Sequence, residues 1–187
     1  MIFVYCSLIS ASEKLHIEEN HPLYTLHYWC IKSSLEIVIP EYNEPFQLLE
    51  LYDFVNKRFS GYYQLYTDAS KSSSSSVGIA VFDRFLRASK QLTLSSYFSV
   101  FGELSAILLA LEYVVIFYTV INENKFVVIS ESQSALLPLE KLKTSNQFTV
   151  IHRYILERIF ILESKGILVQ FLSVRARVGI TRITEYI

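Results

Sequence analysis

The stretch KFVVISESQSALLPLE, Lys125 to Glu140, decides the fold. Its first five residues form a short apolar run of the kind that makes a buried strand, and from Ser132 onward the pattern turns polar and helix-opening. Upstream, Ser99 to Ile121 is a long apolar helix closing at Asn122. Downstream, Phe148, Ile151, Ile155, Ile159 and Leu162 keep helical spacing, with Ser145 or Asn146 as the expected cap and Lys165-Gly166 as the stop. Gly166 to Val174 (GILVQFLSV) then returns as a strand. Pro138 is expected to kink or end the helix that Ser132 opens, because an interior proline costs about 3 kcal/mol.

Before the long helix the pattern is all strand. Tyr62 to Thr67 (YYQLYT) is aromatic-rich and runs into Asp68; Ser72 to Ser76 reads as a turn, since consecutive serines bond locally to the backbone. Val77 to Phe82 is a second strand, Asp83-Arg84 a turn, and Ala88 to Ser95 a third strand. An antiparallel meander followed by helix-strand units predicts an α/β fold built on a mixed sheet with helices packed on it. This regular pattern begins at Gly61. Residues 1–60 read as an extension or linker with no assigned order, in which Phe46 to Phe59 (FQLLELYDFVNKRF) is one short amphipathic helix.

At 187 residues, 51% hydrophobic, the chain can bury a sizeable core. Seventeen basic against eighteen acidic residues leave a net charge of −1, so any polyanionic partner must be met by a local patch. Two cysteines, Cys6 and Cys30, exclude a disulfide framework and favour a reducing compartment. MIFVYCSLIS at the N-terminus has no basic n-region and no small-residue cleavage site, so no signal peptide is read there and a cytoplasmic or nuclear location is favoured. Leu104 to Ile121 is borderline in length for a bilayer but carries Glu112 near its middle, and a charge is costly there, so a core helix is expected and no membrane span. His21, His27 and Cys30 match no common zinc spacing.

In mixed sheets with helical crossovers, sites collect at the carboxyl ends of parallel strands and the helix starts beside them. Three acids are expected there: Asp68 in the first strand, Glu103 in the first turn of the long helix, and Glu131 at the exit of the fourth strand. Each also has a plainer account, Asp68 as a turn acid and the two glutamates as helix N-terminal charges worth about 0.3–1 kcal/mol. Convergence on one point would instead make a divalent-cation site, typically Mg²⁺ with carboxylates and water.

The blocks YTDASK (66–71), VGIAVF (77–82), FGELSAILLAL (101–111), VVISESQSAL (127–136) and GILVQFLSVRARVGI (166–180) resemble, in order, the ribonuclease H type 1 domain, and most closely the copies in non-LTR retrotransposon reverse-transcriptase polyproteins. The resemblance covers residues 61–187 and implies an RNase H-like fold that ends short at the C-terminal helix. It implies hydrolysis of the RNA strand of RNA–DNA hybrids with two Mg²⁺ ions, Mn²⁺ being an alternative, and a setting within a larger polyprotein. Asp68, Glu103 and Glu131 match three of the family's four acids as catalytic and metal-holding residues. Ser70, Lys71, Arg175 and Arg177 are candidates for the nucleic-acid backbone, contacts that position without reading bases.

The sequence departs from the family at three places. Glu131 stands where the family has Asp; Arg177 stands where it has a histidine; and the fourth acid should fall near Ile187, with Glu185 two residues off its helical face. A guanidinium does not exchange protons at neutral pH as imidazole does. The alternative expectation is therefore a catalytically impaired or inactive retroelement remnant that keeps the fold.

Overall fold

The computed structural model describes residues 35–40, 48–71, 76–83, 87–93, 99–141 and 149–174. Ten elements follow in chain order. They are β1 (Glu36–Val38), α1 (Leu48–Arg58), β2 (Tyr63–Lys71), β3 (Ser76–Phe82), β4 (Arg87–Thr93), α2 (Ser99–Ile121), β5 (Lys125–Ser130), α3 (Gln133–Lys141), α4 (Val150–Ser164) and β6 (Leu168–Ser173). They form one six-stranded sheet in the order β1-β6-β5-β2-β3-β4. β2, β3 and β4 are the expected antiparallel meander, and β5 and β6 continue from β2 in parallel. The class is α/β with a mixed sheet.

Side-chain alternation along each strand splits the apolar residues between two faces. Leu65, Val77, Ile79, Val81, Phe126, Val128, Val169 and Phe171 point toward α2, α3 and α4 in the larger core. Tyr66, Phe82, Val127, Ile129 and Leu172 point the other way, where Leu51, Val55 and Phe59 of α1 cover them. The expected break near residue 60 is therefore not a packing boundary. β1 extends the sheet beside β6, and Leu35 and Ile37 join the larger core. A three-residue strand carries too little alternation to be seen in sequence, which is why this segment looked like a linker.

α2 explains its own apolar run. Its residues from Leu104 to Leu111, with Val114, are buried, and the charge in its middle is met: Glu112 Oε1 lies 3.2 Å from Arg158 on α4. By length and composition it is the one described helix apolar enough to cross a membrane, and half of it is buried within the fold. Tight connections set the strand that follows: Asn122 takes a positive φ of 58° at the end of α2, and Gly166 takes 73° after α4.

An end of α3 at Pro138 and the expected cap of α4 are both corrected. α3 runs on past Pro138 to Lys141; it is held by buried Leu136 and Leu139, whose packing offsets the backbone bond that proline cannot donate. The cap of α4 is Thr149, not Ser145 or Asn146. His152 closes it, with Nδ1 3.4 Å from the Thr149 N–H and 3.0 Å from its hydroxyl. These contacts leave the proton on Nε2, and burial pushes the His152 pKa down. Ser76, read as the last residue of the serine turn, instead opens β3; the rest of that turn at 72–75, residues 84–86 and residues 142–148 lie outside the described residues.

Asp83, read from sequence as a turn acid, is buried at 9% exposure. It accepts a 2.7 Å bond from the Tyr63 hydroxyl and a second from Tyr113, tying β3, β2 and α2 together at the amino end of β2. Burial, then Asp83, holds the Tyr63 hydroxyl well above its ordinary range and pushes Tyr113 up to about 12. Asp83→Ala would strand phenolic hydroxyls beside the core. It is expected to cost about 1.5–3 kcal/mol in urea unfolding, and a loss under 0.5 kcal/mol would show that water replaces the carboxylate.

Candidate functional site

The topology gathers one edge of the sheet. β2, β5 and β6 are parallel and end together, and β4 runs in the same direction as β2, so α2, α3 and α4 all start at that edge. Asp68 lies within β2, opposite Ala80 of β3, and is half-buried. Glu131 sits between β5 and α3, with Oε1 fully buried. Glu103 is the fifth residue of α2, just past its first turn, and not in it as the sequence suggested.

Those placements weaken the plainer account. The helix field falls off within the first turn, so Glu103 gains little from it. Ser132 caps α3, with its hydroxyl 3.3 Å from the Ala135 N–H, so Glu131 precedes the cap. No first-turn acid occurs in either helix.

The electrostatics favour convergence. The pKa of Glu103 is raised to about 7, first by burial, then by Asp68, then by Glu131. One carboxyl thus feels both others, although the three come from separate elements. Among the described residues no three Asp, Glu, His or Cys side chains form a preassembled ligand group. The donor set itself fits a hard divalent ion, since it offers only oxygen and up to three negative charges.

A consequence for stability follows from the raised pKa. Below about 4.5, the ordinary value, Glu103 is protonated in both folded and unfolded chains. Between about 4.5 and about 7 the unfolded chain gives up its proton first, so stability falls as pH rises through that window and stays lowered above it. Glu103→Gln is expected to raise the melting temperature at pH 8 more than at pH 5, by roughly 2–4 °C for each kcal/mol relieved. Equal effects at both pH values would mean that the charge is already neutralised.

Two features that the sequence did not single out build this edge. An ideal Cβ on Gly102 would stand 2.8 Å from Val77 Cγ1 and 3.4 Å from Ala69 Cβ, so the start of α2 rests directly on β2 and β3 next to Asp68. A glycine inside a helix, at about 1 kcal/mol against alanine, was the available signal of close approach. Ser130 is the second. It is fully buried, its hydroxyl accepts the Ser132 N–H at 3.1 Å, and its carbonyl accepts the Val174 N–H at 3.0 Å. Thr67, opposite Ser130, donates to the Ile129 carbonyl at 3.3 Å. The chain around Glu131 is thereby pinned from both neighbouring strands.

Of the backbone-contact candidates, Ser70 is exposed and faces Gly78 across β2 and β3, and Lys71 is the last residue of β2, paired with Val77. Arg175, Arg177 and Glu185 lie outside the described residues, as do His21, His27 and Cys30. No protein-family model matches the chain, and a search of curated proteins returns no match.

Proposed function

We propose that the chain is an RNase H-like domain whose acidic edge handles the RNA strand of an RNA–DNA hybrid. The observation that carries this is the coupling of Glu103 to both Asp68 and Glu131, three acids on the strand, long helix and strand exit where the resemblance expects them. The run of elements from β2 to β6, strand, strand, strand, helix, strand, helix, helix, strand, supports the same fold.

Asp68, Glu103 and Glu131 would hold Mg²⁺ or Mn²⁺, and bound divalent ions supply activation of water and neutralisation of charge on the leaving oxygen. The rest is the work of the chain's own groups. Gly102 lets Glu103 approach β2, and Ser130 fixes the backbone that carries Glu131. Ser70 and Lys71 prolong β2 beyond Asp68, where a phosphate of the hybrid would be positioned without its bases being read.

A second reading is favoured by the sequence itself: with Glu131 in place of Asp and Arg177 in place of histidine, the fold persists as a remnant that binds nucleic acid without turnover. An end-labelled hybrid incubated with the protein and Mg²⁺ or Mn²⁺ separates the two. The enzymatic reading expects cleavage of the RNA strand that EDTA stops and Asp68→Asn removes. An intact hybrid at high protein concentration sinks it and leaves the remnant.

A further inference from the structure

We infer that the amino edge of the sheet, opposite the acidic edge, is a contact surface for the phosphate backbone of a nucleic acid, carried by Lys57, Arg58, Lys125 and Lys165. Lys57 and Arg58 end α1, which a short turn joins to β2; Lys125 opens β5; Lys165 lies between α4 and β6. β6, β5 and β2 are parallel neighbours in the sheet, so their starts span about 10 Å. Lys125 falls on the α1 side of the sheet, since Phe126 beside it points into the larger core, whereas Lys165 rests on α2. The four cations thus straddle the edge. β5 runs six residues from here to the acidic edge, about 20 Å, so the two surfaces are separate.

All four side chains are exposed, and none pairs with a carboxylate among the described residues. The other cations are engaged: Arg158 is tied to Glu112 and Glu157, and Lys141 and Arg153 have interactions of their own. Asp53, Glu123 and Glu163 are the acids nearest along the chain, yet none forms an ion pair with the four. Asp83 is turned inward to Tyr63 and Tyr113. On a chain of net charge −1, this edge is the local basic patch that a polyanion would need.

Two of the lysines are held in place. Lys125 Nζ stands 5.9 Å from the centre of the Tyr62 ring, and Lys165 Nζ 4.8 Å from that of Tyr118. Tyr62 is fixed in turn by the edge-on ring of Phe59, 5.5 Å away, where α1 ends. A ring steadies an ammonium without using up its three donors, which stay open to an outside acceptor. Helix C-termini favour cations in any case, and that would account for Lys57 and Arg58, but Lys125 opens a strand. Point charges among exposed Asn122 and Asn124 suit phosphate oxygens, and a polar, positive surface is the kind that nucleic acids bury.

The test is fluorescence anisotropy of a labelled RNA–DNA hybrid with the full chain in EDTA, which stops metal-dependent cleavage and so reads this surface apart from the acidic edge. Four phosphate contacts, each adding about 0.9 to the salt slope, give an affinity that drops on the order of a hundredfold between about 50 and 200 mM KCl. Lys125→Gln with Lys165→Gln is expected to halve the slope, and Lys125→Arg with Lys165→Arg to keep it. Should the glutamine pair fail to fold, Lys57→Gln with Arg58→Gln reads the same change at the exposed end of α1. Arg153→Gln removes one charge at the opposite edge and is expected to change the slope less than Lys125→Gln alone. Equal changes in those two single variants, or a wild-type chain that does not bind, overturn the inference whatever the acidic edge does. Polyglutamate competing as well as nucleic acid of equal charge also overturns it and assigns the edge to an acidic protein segment.

Discussion

Removing residues 1–60 is expected to abolish cooperative folding of the remainder, even though the regular pattern begins only at Gly61. Leu35, Ile37, Leu51, Val55 and Phe59 are almost wholly buried, and each contributes about 1.5–3 kcal/mol when fully taken out of water. Their combined contribution, on the order of 10 kcal/mol, matches the whole net stability of a typical domain, about 5–15 kcal/mol. The cut also uncovers Tyr66, Phe82, Val127, Ile129, Leu172 and Val174 as one apolar face, and it leaves β6 an open edge. Urea unfolding followed by circular dichroism should show a broad, non-cooperative change for residues 61–187 and a sharp one for the full chain. Val55→Asp asks the same of α1 alone, placing a charge where the side chain is 1% exposed, and should cost more than about 3 kcal/mol. A fragment that unfolds sharply near the full-length midpoint would show that α1 and β1 are accessories.

What could be read from sequence, and what could not, follows from range. The meander, the long helix and the β5 to β6 unit were legible because each is a run of several residues with period 2 or 3.6. Ser132 as a cap and Gly166 as a stop were legible because capping chemistry is local. β1 was not, since its stability comes from pairing Glu36, Ile37 and Val38 with Gln170, Phe171 and Leu172, more than 130 positions away. Asp83 failed for the same reason: a turn acid and a buried acceptor of two tyrosine hydroxyls look alike until Tyr63 and Tyr113 are brought to it. At the acidic edge the residue types were legible, whereas the spacing was not. Gly102 and Ser130, which hold the chain beside Glu103 and Glu131, act through contacts with β3 and β6; a glycine inside a helix signals that something comes close, but no local pattern names the partner.

Exchange of single carboxylates should move cleavage of a labelled RNA–DNA hybrid in opposite directions at Asp68 and at Glu131. Asp68→Asn keeps shape and removes charge; with two acids left, cation affinity and cleavage are both expected to be lost. Glu131→Asp keeps charge and shortens the side chain by one methylene, on the order of 1 Å, giving the residue that the resemblance to the ribonuclease H type 1 domain leads one to expect there. A misplacement of that size costs about a hundredfold in rate, so the shorter acid is expected to gain up to that factor under single-turnover conditions. Direction is decided by what the backbone around residue 131 can do. Ser130 is held to Ser132 and Val174, and Thr67 to the Ile129 carbonyl, so the main chain cannot retreat to accommodate the longer glutamate. The difference in reach therefore falls on the side chain, whose Oε1 is buried, and Asp at this position would change that reach without moving the strand. Titration with MgCl₂ separates the possible failures: a Glu131→Asp chain that binds Mg²⁺ more tightly but cleaves no faster would place the remaining deficit away from residue 131, first at Arg177. A chain that binds Mg²⁺ less tightly would show that the site has adjusted to glutamate, with Gly102 and Glu103 set for the longer reach.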